Sequence, residues 1–224
     1  MGKQFSLTAK DNHKLGAYRA DPQGAPKGGM VVIQEIFGVN KNIRGTADEF
    51  AALGYAAIAP ALFDRTKRDF ESGYSPEEVA EARKFIASPD LDAMLRDTQA
   101  AIDELKSAGP VGIVGFCLGG SIAFLAATRL NGLKAAIGYY GGMIAKNAGE
   151  KPKCPVMLHF GATDPSIPLG DIETIKQQRP EIEVHVYDGA GHAFSNSDRP
   201  NYHQPSAQIA GKRTQDFLAK HMKK

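Results

Sequence analysis

Cysteine is scarce in this chain. Cys117 and Cys154 are the only two among 224 residues, too few for a disulfide framework, and this points to a reducing, cytoplasmic setting. Net charge is also scarce. Lys and Arg number 27 against 25 Asp and Glu, leaving +2, which argues against nucleic acid or a membrane surface as partner. The basic end at Lys220, Lys223 and Lys224 reads as a solvated helix terminus. No apolar run approaches the ~20 residues of a membrane span. The first thirty residues carry Lys3, Lys10, Asp11 and Lys14 and hold no long apolar core of the kind a signal peptide needs. There is no H-x-x-x-H or C-x-x-C spacing, so no metal and no cofactor are expected. Internal repeats and low-complexity linkers are missing too. With 42% hydrophobic residues, the length suits a sizeable core.

What is present is an alternation of strand and helix patterns. Gln4–Ala9 and Leu15–Ala20 alternate like an N-terminal hairpin around Asp11-Asn12. Met30–Gln34 and Tyr55–Pro60 are continuous apolar runs, as expected of strands covered on both faces. Helical spacing runs over Ile43–Leu53 and Asp90–Ser107, and Ser75-Pro76-Glu77-Glu78 has the form of a capped helix start. Strands are then expected near 111–116, 134–140, 155–160 and 182–187, with helices near 118–130, 169–178 and 206–222. Strand followed by helix, repeated, predicts an α/β fold: a mainly parallel, doubly wound sheet of about eight strands with helices on both faces. Asp64–Ser75 is the least regular segment and is expected to be a mobile loop beside the site.

The most informative stretch is Val111-Gly112-Ile113-Val114-Gly115-Phe116-Cys117-Leu118-Gly119-Gly120. A short apolar run gives way to a helix-like one around Gly-x-Cys-x-Gly, the pattern of a nucleophile elbow with cysteine in the nucleophile position. Such a nucleophile needs a base, and the base an orienting acid, in the order nucleophile, acid, His. Val156–Phe160 runs into Asp164, and Glu183–Tyr187 runs into Gly189-Ala190-Gly191-His192. Both should leave the sheet at the carboxyl edge, where ligands bind in open α/β sheets. Cys117, Asp164 and His192 therefore form a candidate catalytic set. Asp171 and Asp188 are weaker rivals for the acid, and the alternative for Asp164 is a turn-former before Pro165. Cys154, beside Pro155, reads as a small core residue. His159 and His185 lie in strand patterns and read as core or surface residues. His13, His203 and His221 have no assigned role.

Glu35 closes the run Val31-Val32-Ile33-Gln34 and should sit at the same edge, where an acid is costly unless partnered. One reading is a salt bridge to Arg44. The other places it beside Cys117, where it would raise the thiol pKa and keep the resting sulfur neutral. Ile36, in the following loop, and Leu118, just after the nucleophile, are the backbone N–H candidates for an oxyanion hole. Rival functions have weaker support. Gly115-x-x-x-x-Gly120-Ser121 approaches a P-loop but lacks its Lys. A catalytically silent hydrolase-like binding module conflicts with a complete triad, and a redox-sensing thiol would want a resolving cysteine nearer than Cys154.

Taken in order, Gln34-Glu35-Ile36-Phe37-Gly38, Gly115-Phe116-Cys117-Leu118-Gly119-Gly120, Tyr139-Tyr140-Gly141, Gly161-x-x-Asp164 and Gly189-Ala190-Gly191-His192-Ala193-Phe194 resemble the dienelactone hydrolase family across nearly the whole chain. The resemblance implies one α/β-hydrolase domain over residues 1–224, a triad on Cys117, His192 and Asp164, and Glu35 as the carboxylate that partners the thiol. It implies a small-molecule ester or lactone as substrate. Dienelactone-cleaving members, the carboxymethylenebutenolidases, open the ring to maleylacetate in chloroaromatic degradation. The alternative within the family is a general carboxylesterase or thioesterase acting on uncharged activated esters. The chain departs from the family pattern four residues after the catalytic His, where dienelactone-cleaving members carry an Arg that helps hold the substrate carboxylate. Here that residue is Asn196. Asn196, the nearby Arg199 and Arg83 are the candidate substrate contacts. A monomer or weak homodimer is expected.

Overall fold

The structure, a computed structural model, describes residues 2–223. Eight strands form one sheet: β1 (Lys3–Thr8), β2 (Lys14–Ala20), β3 (Gly29–Ile33), β4 (Ala56–Pro60), β5 (Val111–Phe116), β6 (Leu133–Tyr139), β7 (Val156–Gly161) and β8 (Glu183–Tyr187). Their spatial order is β1-β2-β4-β3-β5-β6-β7-β8. The hairpin β1–β2 and the β2–β4 pair are antiparallel, and the other pairs are parallel. The residues of β3, β4 and β7 are buried throughout, which explains why their sequences are unbroken apolar runs rather than alternations. At the edge, β8 keeps Glu183 exposed and three residues half-buried.

The described residues form six α-helices, five between strands and the last after β8: α1 (Lys41–Ala52), α2 (Pro76–Lys84), α3 (Leu91–Leu105), α4 (Leu118–Arg129), α5 (Leu169–Gln178) and α6 (Gln204–His221). Local chemistry sets several starts. The Asn40 side chain accepts from Ile43 N–H at 3.3 Å, opening α1. Ser75 and Glu78 form a reciprocal capping box at α2, and Asp90 caps α3. Helices α3 and α4 pack together on one face of the sheet. On the other face α1 and α6 flank a cleft floored by Val114 and Phe116 of β5.

From the central strand β3 the chain steps outward to β4, then returns to β5 on the other side and continues through β8. The carboxyl ends of β3 and β5 therefore sit at the switch point, where open α/β sheets present their crevice. Pairing sets the alignment. Ile33 lies opposite Gly115, Phe116 opposite Tyr139, and Gly161 opposite Tyr187, so the residues just beyond these strands emerge side by side.

The segment between Asp64 and Ser75 is irregular, as expected, but tied down rather than loose. The Asp64 carboxylate accepts from Gly16 N–H at 2.7 Å and Asp69 N–H at 2.9 Å. Arg44 makes a bidentate pair with Glu71 at 2.6 and 2.9 Å. No helix among the described residues is long and apolar enough to cross a membrane.

Candidate active site

The turn from β5 into α4 carries Cys117 at φ 55°, ψ −115°, a conformation an L-residue adopts only under constraint, at a cost of about 1–3 kcal/mol. The constraints are visible. Cys117 N–H donates to Tyr139 O at 3.0 Å, and its carbonyl accepts from Ser121 N–H at 3.3 Å. Glycine is required on both sides: a Cβ on Gly115 would stand 1.9 Å from Gly119 O, and one on Gly119 would stand 2.4 Å from Ile33 O. Strand, turn and helix are thereby in backbone contact, and the sulfur is lifted to the wall of a cavity of about 350 Å³. Leu118 opens α4, so its N–H has no carbonyl within the helix to bond.

Asp164 follows β7 and is 5% exposed. Its carboxylate both closes a turn and holds the imidazole. One oxygen accepts from Ser166 N–H at 2.8 Å and the other from His192 Nδ1 at 2.7 Å. Asp171 and Asp188 make no such bond. The Asp164 and His192 loops are in direct contact, since Thr163 donates twice to Ala190 O, at 2.9 Å from its hydroxyl and 3.0 Å from its N–H. With Nδ1–H committed to Asp164, Nε2 is the ring nitrogen left for Cys117. Burial opposes charging His192, but hydrogen bonds with Asp164 and Cys117 prevail and lift its pKa to about 10. Tyr140, buried and itself at φ 40°, packs its ring 5.1 Å from the imidazole.

Glu35 follows β3 and is 3% exposed. The expected alternative of a bridge to Arg44 is overturned, because Arg44 is occupied by Glu71. Glu35 instead accepts from Asn196 Nδ2 at 3.0 Å and shares the cavity with Cys117, Ile36, Leu118 and His192. Burial raises its pKa, against the lowering effects of the Arg199 charge, the Asn196 hydrogen bond and His192. Arg83, from α2, and Arg199 both reach the same cavity. The Arg199 guanidinium lies 5.1 Å from the Phe37 ring centroid and 5.2 Å from that of Tyr74.

Asn196 needs correcting. Counted by sequence among the substrate contacts, it is 2% exposed and does not line the cavity. The chain turns at Ala193, φ 62°, and the Asn196 amide is consumed by Glu35 and by the Tyr74 hydroxyl at 3.1 Å. Tyr74 and Asn40, which bond each other at 3.0 Å behind Glu35, escaped the sequence reading because neither belongs to a motif. Only the capping position of Asn40 carried any signal.

His159 and Cys154 play structural parts. His159 is fully buried between Tyr187 (2.8 Å) and Thr214 (3.1 Å), and burial holds its pKa well down. Cys154 is half-buried, and burial pushes its thiol up to about 11, the opposite of an activated sulfur. Among the described residues no cluster of three or more His, Cys, Asp or Glu is arranged to hold a metal.

Comparison with known proteins gives the family. Residues 15–222 match the model of the dienelactone hydrolase family. A carboxymethylenebutenolidase of Pseudomonas putida is 35% identical over 225 residues, covering 96% of this chain and 95% of that protein. Among solved structures, a Klebsiella pneumoniae protein assigned provisionally as a dienelactone hydrolase superposes with TM-score 0.87 at 29% identity, covering 98% of both chains. A dienelactone hydrolase-like promiscuous phosphotriesterase from metagenomic libraries, 21% identical over 98% of both chains with TM-score 0.78, shares the fold. The chain belongs to the dienelactone hydrolase family and is a carboxylic ester hydrolase of the α/β-hydrolase fold.

Proposed function

We propose that the chain, acting as one domain, hydrolyses activated esters and lactones through Cys117 as nucleophile, His192 as base and acid, and Asp164 as the group that orients His192. The observation that carries this reading is the 2.7 Å bond from His192 Nδ1 to Asp164, which leaves Nε2 for Cys117. The thiol proton passes to His192, and the thiolate adds to the carbonyl carbon. The developing oxyanion is held by the N–H groups of Leu118 and Ile36, each such donor contributing ~3–4 kcal/mol. When the tetrahedral intermediate collapses, the C–O bond to the leaving group breaks and imidazolium returns the proton to that oxygen. The product is a thioester on Cys117. Its sulfur no longer supports a charged His192, so burial draws the imidazole back toward its neutral form, ready to deprotonate the water that releases the acid.

A thiolate is itself a good leaving group, so enol lactones and aryl esters should outperform alkyl esters. Two guanidinium groups on the wall, Arg83 and Arg199, support a substrate that also bears a carboxylate, as the dienelactone of carboxymethylenebutenolidases does. The commitment of Asn196 to Glu35 favours the second reading, a general carboxylesterase. A panel of dienelactone, uncharged aryl ester, alkyl ester and thioester separates them. A carboxylate paired with a guanidinium is worth about 1.5–3 kcal/mol, so kcat/KM for the charged lactone should exceed that for an uncharged ester of equal leaving group by roughly tenfold or more. Equal values would leave the general esterase standing.

The raised His192 pKa sets the alkaline limit. Below about 10 the proton taken from Cys117 stays on the ring, ready for the leaving group, and above it that proton is lost to solvent. On this basis kcat/KM for an aryl ester should hold through neutrality and fall as pH rises through about 10. A fall already complete near pH 7 would show that neither Asp164 nor Cys117 supports the charged ring.

A further inference from the structure

Glu35 is a buried carboxylate served by one side-chain hydrogen bond among the described residues, from Asn196. An asparagine has two faces. Its N–H end stabilises a carboxylate, and its carbonyl end repels one, so the consequence for Glu35 depends on which end is presented. Two contacts select the N–H end. Asn196 Oδ1 accepts from Asp198 N–H at 3.0 Å, and Nδ2 donates to the Tyr74 hydroxyl oxygen at 3.1 Å as well as to Glu35. Tyr74 is held in turn: Asn40 Nδ2 donates to the same phenol oxygen at 3.0 Å, while Asn40 Oδ1 caps α1.

We propose that Tyr74 is a positioning residue for Glu35, its hydroxyl oxygen keeping the N–H end of the Asn196 amide on the carboxylate and so holding the negative charge that Glu35 sets beside the Cys117 thiol. The second clause rests on the reading of Glu35 as partner of the thiol; the first does not. The other groups facing Glu35 act directly. Arg199 and His192 favour its ionised form. Burial above all makes the hydroxyls of Tyr140 and Tyr74 harder to ionise, and the Glu35 charge adds to it, joined by Cys117 at Tyr140 and by Asp198 at Tyr74. Cys117 shares its cavity. Tyr74 differs from these in acting through an amide. It also stands two residues before α2, whose Val79 and Arg83 line the cavity, so the helix that faces the substrate is tied to the carboxylate behind it.

Tyr74→Phe isolates the effect. The ring keeps its edge contact with Phe37 at 4.8 Å and its place under Arg199, and only the acceptor is lost. The titration of Glu35 is read directly from its ¹³C carboxyl shift in labelled protein. The midpoint should move to higher pH by roughly one unit, since a carboxylate loses a donor to its charged form. Asn196→Ala should move it at least as far. The double variant should move it no further than Asn196→Ala alone, because Tyr74 works through that amide. A side chain that merely braced the fold would lower the thermal midpoint and leave the titration in place. An unmoved midpoint in Tyr74→Phe, or additive shifts in the double variant, overturns the proposal. Iodoacetamide alkylation of Cys117, in a Cys154→Ser background, follows the thiol. Its pH inflection should move with Glu35 in every variant. If Glu35 moves and the alkylation profile does not, the positioning role of Tyr74 holds and the partnership of Glu35 with the thiol falls.

Discussion

Cys117→Ala should lower kcat for an aryl ester by about 10⁴-fold or more, to the residual level that binding and an oxyanion hole sustain without a nucleophile. The substitution removes one sulfur atom and little else. Alanine is an L-residue like cysteine, so the φ 55° backbone is no more strained than before, and the side chain is only half-buried. The backbone bonds to Tyr139 and Ser121 and the close packing of Gly115 on Gly119 remain. The variant should therefore fold and bind substrate with a normal KM. It should show no burst of acyl-enzyme. The comparison to make is pre-steady-state and steady-state hydrolysis of one aryl ester by wild type and variant at matched folding, checked by thermal midpoint. Turnover within a few-fold of wild type would remove Cys117 from the chemistry and leave the strained turn without an explanation.

Asp164→Asn should cost about 10³–10⁴-fold in kcat while leaving the loop intact. The reason lies in the two separate bonds of the carboxylate. One oxygen holds Ser166 N–H at 2.8 Å, and an asparagine Oδ1 preserves that bond. The other accepts Nδ1–H of His192 at 2.7 Å. An amide NH₂ there would donate to Nδ1 instead, moving the ring hydrogen to Nε2, where it faces Cys117 and abolishes the base. The charge that helps lift the His192 pKa is lost at the same time. Two measurements should therefore change together: ester turnover falls, and the alkylation rate of Cys117 at neutral pH falls because Nε2 no longer accepts the thiol proton. Asp164→Ala is a poorer choice, since it also frees Ser166 N–H and disturbs the loop. Unchanged turnover in Asp164→Asn would mean that something other than a carboxylate sets the tautomer of His192.

Much of this was legible beforehand because it depends on local rules. Continuous apolar runs became central strands, and an alternating stretch became the N-terminal edge hairpin. The Ser75-Pro76-x-Glu78 pattern gave a capping box. Gly-x-Cys-x-Gly gave the elbow, since a turn that tight excludes a Cβ at either glycine. Elsewhere proximity along the chain misled. Arg44, nine residues after Glu35, pairs with Glu71 across an isolated bridge between Gly38 and Glu71. Asn196, at the spacing where the family places a substrate contact, is turned by the Ala193 bend into the wall behind Glu35. Neither error is one of residue type. Both are errors of direction, and a side chain's direction is set by the backbone turn beneath it.

The sequence by itself determined the strand–helix alternation, the elbow and the chain order of sulfur, acid and imidazole, because periodicity and glycine sterics act over a few residues. Only the tertiary structure decided what surrounds Glu35: that Arg44 is absent, that Asn196 and Tyr74 stand behind it, and that Arg83 and Arg199 reach the cavity from separate elements. Those partners come from two stretches of the chain far from Glu35, residues 74–83 and 196–199. Their meeting is fixed by the register Ile33–Gly115 and Gly161–Tyr187 of a parallel sheet, which brings strand ends far apart in sequence to a single edge.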